Sequence, residues 1–197
     1  MYDLKDKFPR SFFTTMEKSS IDTAHRVPMV NNNFIVLKLD DYNKNCYQTE
    51  MDASMCLRGG DACFEHDNKI YVIEFKNRYL IPQVVYDVLE KMYASSIVLM
   101  DKLNLSINDI RNKVCFVTVY TLKDDCEEKE KYEENFPNKS MTKIKMAIGS
   151  KGTKKIKNID TKAFNLKKLE KNLYKEVSTI PIDYFQRYLI EEGIINN

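Results

Sequence analysis

Laid out as a strand, KIYVIEFK at positions 69–76 is apolar on both sides: Ile70, Val72, Glu74 and Lys76 share one side, Tyr71, Ile73 and Phe75 the other. A strand of that kind belongs in the middle of a sheet with protein on both faces. Its surroundings fit that place. Asp61 to Glu65 reads as a partner strand, joined to it by a turn at His66-Asp67-Asn68. Ile81, Val84, Val85, Val88, Leu89, Met92 and Tyr93 then repeat at helical spacing, with Pro82 suited to a first turn, which predicts a helix running to about Leu103. Val114 to Thr121, VCFVTVYT, reads as another strand, and the order strand, helix, strand favours a right-handed crossover. The expected class is α/β, a mixed central sheet flanked by helices.

Other segments are read in the same way. Arg10 to Thr23 is expected as a helix that gathers Phe12, Phe13 and Met16, and Asn33 to Leu39 as a short strand. Asp40 to Arg58 reads as polar and irregular, ending in Gly59-Gly60. Thr142 to Ile148 is expected as a strand, and helices are expected over Asn165 to Val177 and Pro181 to Glu192.

The chemistry concentrates between Gly59 and Asn77. Asp61 opens one strand of the expected hairpin, while Glu74 and Lys76 sit on the other, so pairing brings the three to one edge. Two carboxylates converging on a point repel each other and drive protonation unless a cation lies between them. Mg²⁺ prefers hard oxygen ligands and keeps several waters, so Asp61, Glu74 and the backbone carbonyl of Phe75 form a candidate metal set. Lys76 then orients the attacking water or stabilises transition-state charge. Without the metal, E-x-K on a strand is an ordinary salt-bridged surface.

In this order of elements and in these residues the chain resembles the PD-(D/E)xK nuclease superfamily, over roughly Arg10 to Thr121. The resemblance implies a restriction endonuclease-like core, a first acid at Asp61, a second at Glu74 and a lysine at Lys76. It implies a Mg²⁺- or Mn²⁺-dependent endonuclease acting on nucleic acid, DNA ahead of RNA. The proline that names the motif is replaced by Gly60. Some members carry a further acid on the first helix, for which Glu17 and Glu50 compete. Gln83 with Tyr86 resembles the helical glutamine and tyrosine of RecB-like members at a spacing of three rather than four, which makes Gln83 a substrate-binding candidate. The rival readings are a catalytically idle member of the fold that binds nucleic acid or protein, and an unrelated α/β domain.

Charge is segregated along the rest of the chain. Asp124 to Glu134 holds seven acids and two lysines, whereas Lys139 to Lys171 holds eleven lysines and two acids, so the second stretch is a candidate phosphate track or simply a solvated surface. The expected division is a nuclease core over 1–125 and a charged C-terminal extension over 126–197 packed on the same domain. Five cysteines without a CxxC pair point to reduced thiols rather than disulfides or zinc. No apolar run approaches membrane-span length and the N-terminus is too polar for a signal peptide, so a cytoplasmic protein is expected, with a homodimer left open.

Overall fold

The computed structural model describes residues 4–22, 26–78, 80, 82–121 and 166–196. The first elements are short: helix α1 (Leu4–Lys7), a 3-10 turn at Arg10–Phe12, strand β1 (Phe13–Thr15), helix α2 (Met16–Ser19) and strand β2 (Ile35–Leu37). A single helix over Arg10 to Thr23 is therefore not what forms. Phe13, Thr14 and Thr15 pair antiparallel with Leu37, Val36 and Ile35, and the Thr15 side chain accepts the Lys18 N–H to start α2. Bulky and β-branched residues that can pair across a sheet prefer it to a helix. The strand expected over Asn33 to Leu39 is confined to Ile35–Leu37.

The first part of the stretch expected to be irregular is helical, as α3 (Leu39–Tyr42), a π-helical turn (Asn43–Tyr47) and α4 (Gln48–Glu50) follow one another directly, whereas residues 51–61 form neither helix nor strand, as expected. Leu39, Tyr42 and Tyr47 from this stretch are buried in the core, and that burial outweighs the turn preference of its Asp and Asn residues. Gly59 and Gly60 are then required by crowding. A Cβ on Gly60 would lie 2.5 Å from Val72 Cγ1, and one on Gly59 would lie 2.8 Å from Asn43 Nδ2. That closeness also accounts for glycine where the resemblance has proline, because any side-chain carbon at position 60 meets β4.

Strands β3 (Ala62–His66) and β4 (Lys69–Lys76) form the expected hairpin, with Ala62 opposite Ile73 and His66 opposite Lys69. Asp67 and Asn68 have φ of 47° and 57°, the left-handed pair of a tight hairpin turn that Asp and Asn tolerate. Helix α5 (Pro82–Leu103), α6 (Ile107–Lys113) and strand β5 (Val114–Tyr120) follow. Ser106 and Asp109 cap α6 reciprocally. β5 lies parallel to β4, with Thr118 beside Glu74 and Tyr120 beside Lys76.

After a 3-10 turn at Leu166–Leu169 comes β6 (Glu176–Pro181), parallel to β5, and then α7 (Ile182–Glu191). The helix expected over Asn165 to Val177 is therefore replaced by a short turn and a strand. Lys171 takes a φ of 62°, which breaks the helical run, and Val177 pairs beside Phe116. Residues 166–196 thus complete the same sheet as the hairpin. The strand expected at Thr142 to Ile148 and most of the lysine-rich stretch lie outside the described residues.

The sheet has six strands in sequence order and is mixed, so the chain is α/β. Its two faces are covered separately. Ile70 and Val72 pack with Val84, Val88, Met92, Val98 and Leu99 of α5, while Tyr71, Ile73 and Phe75 pack with Phe185, Tyr188 and Leu189 of α7. The alternation read in β4 is this division. Tyr174 fastens α5 to the C-terminal part by donating to the Met92 carbonyl at 2.6 Å and accepting from Ser96 Oγ at 2.8 Å. No helix among the described residues is long and apolar enough to cross a membrane.

Candidate active site

Asp61 stands immediately ahead of β3, and the hairpin register places it across from Glu74. Glu74 and Lys76, two apart on β4, point to the α5 side of the sheet along with Ile70 and Val72. Ser19 of α2 donates from Oγ to the Asp61 carbonyl, and the Gly60 N–H donates to Ser95 Oγ of α5 at 3.0 Å. The backbone at Gly60-Asp61 is therefore tied to both α2 and α5. The Asp61 side chain is fixed as well, since Oδ2 accepts the Phe75 N–H at 2.8 Å.

The two acids meet at a residue the sequence reading passed over. Lys91 of α5 places Nζ 3.0 Å from Asp61 Oδ1 and 2.9 Å from Glu74 Oε2. Because one nitrogen touches both carboxylates, Asp61 and Glu74 do converge. Lys76 joins from the other side, with Nζ 3.0 Å from Glu74 Oε1. That approach has an ion-pair distance without hydrogen-bond direction, and Oε1 is buried with no hydrogen-bond partner. Two carboxylates and two ammonium groups thus form one neutral cluster. It opens at Asp61 and Lys76, whose side chains are 22% and 16% exposed, whereas Glu74 and Lys91 are 0% and 4% exposed.

Burial governs the protonation of this cluster. Desolvation and then the neighbouring Asp61 raise the Glu74 carboxyl to about 7, against the pull of Lys91 and Lys76. Lys91 is desolvated too, which alone would lower it, but Glu74 and Asp61 hold it above its ordinary range. The ammonium therefore stays charged at neutral pH while Glu74 takes up a proton as the pH falls.

A consequence for stability follows from the sign of the Glu74 shift. With the folded value at about 7 and the model-peptide value at 4.5, the folded chain holds more protons than the unfolded chain between those limits. Stability should fall as pH rises through that window. Urea unfolding from pH 5 to 7.5 should show this negative slope in the wild type and a flatter one in Glu74→Gln. An equal slope in the two proteins would show that Glu74 does not titrate in this range.

Of the remaining candidates, Phe75 touches the cluster, whereas Gln83 and Glu50 stand apart from it. Phe75 reaches Asp61 through its backbone N–H. Gln83 is exposed in the first turn of α5, about 12 Å along the helix axis from Lys91 at 1.5 Å per residue. Tyr86 is exposed as well. Glu50 accepts from Lys102 at 2.7 Å, about 16 Å along α5 on the far side of Lys91, and also from Tyr42 and Cys46. That places it in a separate ion pair. Glu17 is half-buried on α2, two residues before the serine that holds Asp61.

Among the described residues, no three or more His, Cys, Asp or Glu side chains come together as a metal-holding group. The donor chemistry of the pair still suits a hard cation: two converging carboxylates, one with a buried oxygen that lacks a directed donor. That oxygen, Oε1, faces Lys76, whereas Lys91 occupies the side between Asp61 Oδ1 and Glu74 Oε2. A signal for it was present, because Val84, Val88, Lys91, Ser95 and Val98 share one helical stripe, and a lysine inside an apolar stripe needs buried acids opposite. No protein family, curated protein or solved structure matches the chain.

Proposed function

We propose that this chain is a Mg²⁺- or Mn²⁺-dependent endonuclease of the PD-(D/E)xK kind that hydrolyses phosphodiesters, with DNA as the first substrate and RNA as the second. The observation that carries this reading is the meeting of Asp61 and Glu74 at one point with Lys76 alongside. The order of antiparallel hairpin, helix and parallel strand supports it, being the order the resemblance implies.

In this reading Asp61 and Glu74 hold the cation. When bound, a divalent cation supplies Lewis acidity to a phosphoryl oxygen and lowers the pKa of water at the site. Glu74, fully buried on a central strand, is the rigid anchor. Asp61 is the more open acid, kept in place by the Phe75 N–H and the clamped backbone. Lys76 lies at the open rim, where its ammonium can hold the attacking water and offset negative charge on the phosphorus oxygens. Gln83, exposed at the start of α5, is available to a nucleic acid that extends beyond the acids.

One observation favours a second reading, a catalytically idle member of the fold that binds nucleic acid or protein. Lys91 already neutralises the acid pair, and a pair satisfied by an internal ammonium has less need of a metal. Isothermal titration separates the two. Mg²⁺ or Mn²⁺ should bind the wild type, and Asp61→Ala should abolish that binding. Equal heats from both proteins would remove the metal site from these acids.

A further inference from the structure

Asp61 has one oxygen committed to the Phe75 N–H, and its other oxygen is the one Lys91 holds. Lys91 Nζ already touches both acids, on Asp61 Oδ1 and Glu74 Oε2, so a cation held between them would meet that ammonium at close range, where two positive charges repel strongly in a buried setting. We propose that Lys91 is a built-in competitor for the metal: it holds the acid pair closed in the metal-free protein, and a divalent cation enters only as its ammonium withdraws. This rests on the metal-dependent reading above and specifies how that site is regulated.

The structure also offers the ammonium a place to go. Asp40, at the start of α3, donates its N–H to the Gly60 carbonyl, next to Asp61; its Oδ2 is paired with Lys44, and its Oδ1 is buried without a hydrogen-bond partner. In this proposal the ammonium withdraws from the Asp61–Glu74 pair toward Asp40 by rotation of its flexible four-carbon stem. The backbone of α5 stays fixed, with Val88 and Met92 on either side of Lys91 fully buried. The motion clears the acids for metal and brings the ammonium to the Asp40–Lys44 pair.

The test uses the full-length chain and the metals themselves. Mg²⁺ and Mn²⁺ are titrated calorimetrically into the wild type, Lys91→Met, Lys91→Gln and the control Lys175→Met, which removes the same charge from an exposed site. Both Lys91 variants should bind at least about tenfold more tightly than the wild type, the low end for deleting a unit charge beside a cation. Lys175→Met should match the wild type, and Asp40→Asn should bind more weakly. If the wild type binds metal and the Lys91 variants bind no more tightly, the competition is overturned while the metal site stands. If none of the proteins binds metal, both are overturned.

Should Lys91→Met fail to fold without metal, Lys91→Gln and the wild type still decide. In ¹⁵N-lysine spectra the Lys91 ammonium signal, assigned by its loss in Lys91→Gln, should shift and exchange faster with water at saturating Mg²⁺. An unchanged signal at saturation would overturn the proposal.

Discussion

Lys76→Ala should reduce phosphodiester cleavage by roughly a hundredfold or more, the scale of deleting one preorganised electrostatic group, while metal and nucleic acid still bind. The expectation rests on position. Lys76 sits at the rim of the cluster beside Glu74, and the acids converge through Lys91, so its loss leaves the metal-holding pair assembled. Glu74→Ala should instead lose metal and cleavage together, because Glu74 is the buried half of that pair. Single-turnover cleavage and metal titration on the same preparations give both numbers. Cleavage at the wild-type rate by a folded Lys76→Ala protein would refute the role given to Lys76.

Lys91→Met should be the more damaging change for the fold. It leaves Glu74, with no exposed side-chain surface, facing Asp61 without the cation between them. Removing one partner of a buried ion pair typically destabilises by about 3–5 kcal/mol. The loss should be largest near pH 8 and smaller near pH 5, where Glu74 takes up a proton and the repulsion disappears. Urea unfolding at the two pH values measures this directly. Equal stability of variant and wild type at pH 8 would mean that Lys91 does not hold the acids together.

The parts of this fold that could be read from sequence are those whose local pattern and tertiary role agree. β4 is apolar on both sides because both sides are covered, and α5 carries its stripe because one face lies on the sheet. The acids and Lys76 were legible for the same reason, since a tight turn at Asp67-Asn68 fixes the hairpin register that brings them together. Where distant pairing decides, local pattern misleads. LKKLEKNL at 166–173 has helical spacing, yet the chain turns at Lys171 so that Val177 to Ile180 can extend the sheet beside β5. Phe13 to Thr15 leaves a helical context to pair with β2.

Lys91 shows a different kind of miss. Its signal is local, a cation at a core-facing position of α5, but converging acids can be matched by a metal or by an internal ammonium, and local pattern does not separate the two. Asp40 to Arg58 was obscured by composition. Its Asp and Asn residues favour turns in isolation, whereas the burial of Leu39, Tyr42 and Tyr47 makes the first part helical.

The most direct test of the assignment is the behaviour of the wild-type chain on DNA and RNA, single- and double-stranded, with Mg²⁺, with Mn²⁺ and with a chelator. Asp61→Ala is carried in parallel, and folding of both proteins is checked by circular dichroism. Metal-dependent cleavage of at least one substrate by the wild type, abolished by the chelator and by Asp61→Ala, is the predicted result. A folded wild type that cleaves none of them with either metal, or equal cleavage by Asp61→Ala, would contradict it.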